Sequence, residues 1–171
     1  PHSLITHIHT LVQIESTYLK MQFSTVLAAL ASATSASAYI TGISVPSTIV
    51  ANETFALTLQ SEVMNAQTVD VAVAYGFTTP PGNRGSIGQE WDTLYIPAIP
   101  EAKGQKTFTV NVKAPEDLAD YAKNGKVQVG AGVFSILGGV GNVRTVAFNV
   151  TVAVGDKVSE TLVSSQGSVA Y

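Results

Sequence analysis

The sequence predicts an all-β fold, an immunoglobulin-like antiparallel sandwich of about seven strands with one short helix. Three observations carry this. Apolar residues alternate with polar or small ones over successive segments, and clusters of Gly, Pro, Asn and Ser separate those segments. Only one short stretch after residue 38 has helical character.

The first strand is expected at Tyr39–Val45, stopped by Pro46. The next, Thr54–Val63, sets Phe55, Leu57, Leu59, Ser61 and Val63 on one face. Helical spacing would group Phe55 with Thr58, Leu59 and Glu62, which makes no apolar stripe, so the period of two prevails. Val69–Phe77 repeats the pattern, with Val69, Val71, Val73, Tyr75 and Phe77 expected inward and Asp70, Ala72, Ala74 and Gly76 outward. A weaker strand is expected at Leu94–Ile96, beyond a long loop over Thr78–Trp91 that is rich in Pro, Gly, Asn and Ser. Thr107–Val112 turns Phe108, Val110 and Val112 inward, and Lys126–Ile136 does the same with Val127, Val129, Ala131 and Val133. Val143–Val154 sets Val146, Phe148, Val150, Val152 and Val154 against Ala147, Asn149, Thr151 and Ala153. Pro115–Tyr121, with proline and acidic residues at its start, reads as a single-turn helical crossover.

The chain has 171 residues and does not begin with Met. Residues 1–20 read as translated leader sequence. From Met21 a short apolar run, Phe23–Ala31, leads to Ala36-Ser37-Ala38, which fits the small-residue rule for signal-peptide cleavage after Ala38. The run is well short of the ~20 residues that cross a bilayer. The expected organisation is therefore leader 1–20, signal peptide 21–38, sandwich domain 39–156, and a polar, partly disordered tail 157–171. Secretion is expected, with no membrane anchor.

Composition then narrows the chemistry. The chain is 46% hydrophobic and 12% charged, with a net charge of −3, a balance unlike that of a nucleic-acid groove. It has no cysteine, and its three histidines, His2, His7 and His9, all precede the expected cleavage point. A mature chain without His or Cys lacks the usual general base, the thiol nucleophile and the common zinc ligands. No catalytic residue, cofactor or metal site is expected. The nearest carboxylate pair, Glu90 and Asp92 around Trp91, reads as solvated charge, and Glu116, Asp117 and Asp120 as acids favouring a helix start. Gly138-Gly139-Val140-Gly141 lies between two strands with no helix after it, so it is a hairpin turn and not a phosphate loop. Gly130-Ala131-Gly132 inside a strand marks a bulge or a close approach.

Two features remain for function. Arg84, Trp91 and Tyr95 are residue types that anchor interfaces; Trp91, the sole tryptophan, has three readings, as a cap on the core, a partner contact or a sugar-stacking platform. Asn52-Glu53-Thr54 and Asn149-Val150-Thr151 are sequons that make Asn52 and Asn149 candidate N-glycosylation sites of a glycoprotein.

The series Ile40-Thr41-Gly42-Ile43-Ser44-Val45-Pro46, Phe55-Ala56-Leu57-Thr58-Leu59, Asp70–Gly76, Pro81–Gly88, Val133–Gly138 and Val150–Asp156 resembles, in one order over nearly the whole mature chain, the fungal necrosis-inducing secreted proteins. The resemblance implies a non-enzymatic virulence effector of plant-associated fungi that acts in the apoplast, with the host cytoplasm as a second destination. Such an effector suppresses plant pattern-triggered immunity by binding host receptor-like kinases and receptor-like cytoplasmic kinases, and it provokes cell death. The competing expectation is a secreted carbohydrate- or cell-wall-binding module built on Trp91 and Tyr95.

Overall fold

The computed structural model describes residues 38–63, 68–103 and 107–171. The expected leader, and the expected signal peptide apart from its last residue Ala38, lie outside them. Among the described residues the strands are β1 (Ala38–Pro46), β2 (Thr48–Ile49), β3 (Thr54–Val63), β4 (Thr68–Thr78), β5 (Gln89–Tyr95), β6 (Thr107–Lys113), β7 (Lys126–Leu137), β8 (Asn142–Val154), β9 (Leu162–Ser164) and β10 (Val169–Ala170). They form two layers. One sheet runs β6-β3-β1-β9, the other β10-β8-β7-β4-β5, with β2 parallel to the end of β8. The seven longer strands are those the alternation predicts, and the fold is all-β.

The core fills the space between the layers. Ile43, Leu57 and Leu59 on one side and Val73, Val127, Val129 and Val133 on the other have no solvent-exposed surface. Phe55 meets Phe77 edge to face across the interlayer, with ring centroids 6.2 Å apart, the offset that aromatic quadrupoles favour. Leu118, in the 3₁₀ turn Leu118–Tyr121, plugs the core beneath the predicted crossover. Proline at the second position of Ile96–Ala98 and the first of Pro100–Ala102 sets two further 3₁₀ turns that the alternation does not reveal.

Three expectations need correction. First, Val69 and Val71 do not share the inward face of β4 with Val73. Asp70 pairs with Ser135 and Ala72 with Phe134, so Val71 is an extra residue, a bulge that reverses the faces on either side of it. Val69 is 53% exposed, and Asp70 is buried. β1 has a matching slip at Thr41, between Ile40↔Ser61 and Gly42↔Gln60, which is why Ile40 and Ile43 both point inward though three residues apart. The two bulges are tied across the sandwich: the Ile40 N–H donates to Asp70 Oδ2 at 2.6 Å and the Ser135 hydroxyl to Asp70 Oδ1 at 2.6 Å.

Second, the weak strand expected at Leu94–Ile96 is β5, which begins at Gln89 and takes Trp91 out of the loop. Third, the polar tail carries two short strands. Its backbone pairs with open sheet edges: Ser165 N–H donates to Ile43 O at 2.8 Å, and Thr145 and Tyr171 exchange bonds of 3.2 and 2.9 Å. β9 and β10 thus close the same side of both sheets, satisfying edge groups that composition alone does not register.

Candidate functional site

The outer face of the β10-β8-β7-β4-β5 sheet is where the fold leaves chemistry uncovered. It divides into an apolar half and a polar half, and strand register builds both.

In the apolar half, three cross-strand rows stack side by side. Val69 opposes Ile136, which opposes Val143. Tyr95 opposes Ala72, then Phe134, then Thr145, whose backbone pairs with Tyr171. Thr93 opposes Ala74, then Gly132, Ala147 and Val169. Tyr95 is 60% exposed, Val143 69% and Tyr171 70%. Neighbouring strands lie ~4.8 Å apart, so Tyr95, Phe134 and Tyr171 recur every second strand along one row. The small residues Ala72, Ala74, Gly132 and Ala147 floor a groove of ≈ 490 Å³ walled by Phe134, Ile87 and Tyr171. None of these side chains is charged.

The segment around Ile87 separates the halves. It presses on the sheet where β7 lacks side chains: a Cβ on Gly130 would lie 2.7 Å from Ile87 Cα. This is the close approach that Gly130-Ala131-Gly132 predicts. Tyr171 reaches over the face, and its hydroxyl donates to Arg84 O at 3.3 Å. In the polar half, Lys123, Lys126, Gln128, Asn149 and Thr151 line a second groove of ≈ 560 Å³ beneath Pro80 and Pro81.

The predicted contact residues separate on this map. Tyr95 stands in the aromatic row, and Arg84 is exposed on the loop whose carbonyl Tyr171 engages. Trp91 is in β5, and its side chain lies outside the described part, as does that of Glu90. Asp92 accepts from the Tyr75 hydroxyl at 3.4 Å and from the Thr93 N–H at 2.7 Å. Burial first, and then the adjacent Asp92 carboxylate, pushes the Tyr75 phenol above its usual value. Asp117 accepts from Tyr121 at 3.4 Å on the exposed 3₁₀ turn. Asn52 sits in a turn with φ 61°, its N–H donating to Pro115 O at 3.1 Å. Gly141 N–H donates to Gly138 O at 3.2 Å, closing the β7–β8 hairpin as expected. Among the described residues no three of His, Cys, Asp and Glu are grouped to hold a metal.

Sequence reasoning missed Phe134, Ile136, Val143 and Tyr171. The first three are legible afterwards: with Val133 inward, Phe134 and Ile136 must face outward, and an apolar residue on both faces of a strand marks a covered or binding surface.

Comparison with known proteins places the chain in a family. The Nis1 family profile matches residues 36–153. A Necrosis-inducing secreted protein 1 from Colletotrichum orbiculare is 33% identical over 149 residues, 85% of this chain and 88% of that protein. Its counterpart from Colletotrichum higginsianum is 31% identical over 148 residues, 85% of this chain and 99% of that protein.

Proposed function

The chain belongs to the Nis1 family of secreted proteins, and from that membership we propose that it is an effector that provokes necrosis in plant tissue. In this reading it acts by binding, without catalysis of its own. It suppresses pattern-triggered immunity by occupying and inhibiting host receptor-like kinases and receptor-like cytoplasmic kinases. The names of the relatives support secretion and cell death; the kinase target is an expectation of the family resemblance.

The observation that carries the binding mode is the uncharged outer face through Val69, Phe134, Ile136, Val143 and Tyr95, all exposed on one sheet. Large apolar side chains left in water on adjacent strands mark an interaction surface. Tyrosine is among the residue types that carry most of the energy of protein interfaces, which makes Tyr95 the anchor and the aliphatic side chains the surface that excludes water around it.

A pull-down and calorimetric titration of the purified protein against plant receptor-like kinase domains tests the reading. Binding is expected to weaken at least tenfold in a Phe134→Glu/Val143→Glu double variant whose melting temperature is unchanged. Equal affinity in the double variant removes the outer face from the mechanism. The aromatic row also supports a second reading, because Tyr95 and Phe134 are exposed two strands apart and exposed aromatic rings can stack on sugars. Retention on insoluble chitin or glucan without kinase binding selects that alternative.

A further inference from the structure

We propose that Asn149 carries an N-linked glycan and that its first sugar seats in the groove beneath Pro80 and Pro81. The inference is independent of which partner the apolar half binds.

The sequon is presented by strand parity. Asn149 and Thr151 point outward and are exposed, while Val150 between them is in the core. Opposite Asn149 on β7 stands Gly130, over which the Ile87 backbone packs and bounds the site on its apolar side. A secreted chain whose relatives are fungal passes the oligosaccharyltransferase of the eukaryotic secretory route. There the Asn149 Nδ2 attacks C1 of the first N-acetylglucosamine of a lipid-linked oligosaccharide. The N-glycosidic bond forms, the bond to the lipid pyrophosphate breaks, and Nδ2 gives up one proton.

The groove itself supplies the second argument. Gln128 is only 2% exposed and lines it, yet its Nε2 has no hydrogen-bond partner. The turn above it confines this donor: a Cβ on Gly82 would lie 2.6 Å from Gln128 Nε2. A buried amide donor without a protein acceptor is costly and needs an oxygen from water or from a ligand. An N-acetylglucosamine fixed to the neighbouring Asn149 brings a carbonyl and several hydroxyls. Pro80 and Pro81 offer its ring an apolar ledge, and Lys123 and Lys126 offer donors at the rim. Asn52, the other sequon, lines a different groove, with Tyr75, Asp92 and Lys113, and no orphaned donor accompanies it. Among the described residues, the combination of sequon, groove and unsatisfied donor occurs at Asn149.

The test uses the protein secreted from a yeast host. Peptide mapping is expected to find a glycan on Asn149 that is absent from Asn149→Gln and Thr151→Val and retained in Thr151→Ser. Endoglycosidase H then trims the glycan to a single N-acetylglucosamine. This form is expected to melt about 3 °C above Asn149→Gln, and the gap is expected to close in a Gln128→Leu background. An unmodified Asn149 overturns the proposal. So does an occupied Asn149 whose trimmed form melts no higher than Asn149→Gln, because the sugar then does not use the groove. Should Asn149→Gln not be secreted, Thr151→Val serves as the unglycosylated reference.

Discussion

Replacing Asp70 tests whether a buried carboxylate holds the two layers in register at their bulges. In Asp70→Ala the Ile40 N–H and the Ser135 hydroxyl both lose their acceptor. Ile40 is 1% exposed and Ser135 0%, so water does not replace it. An orphaned buried donor costs about 1–3 kcal/mol, and relief of the desolvated carboxylate offsets part of the sum. A net loss of about 2 kcal/mol follows, which at ~4 °C per kcal/mol for a domain of this size lowers the melting temperature by ~8 °C. Asp70→Asn keeps an acceptor for Ile40 and presents an amide to Ser135, so it is expected to lie close to the parent.

The same residue predicts a pH dependence. Burial raises the Asp70 carboxyl above the ordinary 3.8, against the opposing pull of the bonds from Ser135 and Ile40. Between the unfolded value and the higher native one, the folded chain keeps a proton that the unfolded chain has released. Stability from this group is therefore complete below 3.8 and is lost as pH rises through the native value. Urea unfolding of the parent and Asp70→Asn at a series of acid pH values isolates the contribution, since asparagine does not titrate. The reasoning fails if Asp70→Asn keeps the parent's slope, or if Asp70→Ala melts within a degree of the parent.

Two further outcomes follow from the packing. Gly130→Ala drives a Cβ to 2.7 Å from Ile87 Cα and 2.8 Å from its carbonyl oxygen, which are backbone atoms with little room to yield. A loss of about 1–3 kcal/mol is expected. Gly132→Ala meets only the end of the Ile87 side chain at 3.3 Å and should cost less; equal melting temperatures would refute the contrast. Deleting residues 162–171 strips β9 and β10 from their edges. Concentration-dependent light scattering is expected as the bared strands pair between molecules, and a monodisperse truncated protein would count against the tail as an edge cover.

The sequence reveals most where one face alternates without interruption. β3, β7 and β8 have the inward residues that period two assigns, because Leu57, Val129 and Phe148 each sit among neighbours of the same parity. It misleads at β4, where Val69, Val71 and Val73 look like one face. A bulge adds a residue without altering composition, so only the pairing partner reveals it. The tail misleads for a related reason: Ser164 and Ser165 are polar, but Ser165 is bonded to Ile43 and Ser164 to Ser44. The outer face was half legible. Tyr95 is legible as an anchor type, whereas Tyr171 joins the row only through pairing that brings the last residue beside Thr145.

The bulge at Val71 links stability to surface. Were β4 regular through this point with Val73 inward, Val69 would turn inward and Asp70 outward. A carboxylate would then stand beside Ile136 and Val143, and the core would lose the acceptor that holds Ile40. One inserted residue sends the charge inside, where two donors meet it, and sends the valine out, where it completes an uncharged row. The matching slip at Thr41 is what brings the Ile40 N–H to the right side of β1 to meet that carboxylate. The two irregularities are thus one device: each needs the other to satisfy its polar group. The apolar half of the outer face exists in its present form because that device holds the register.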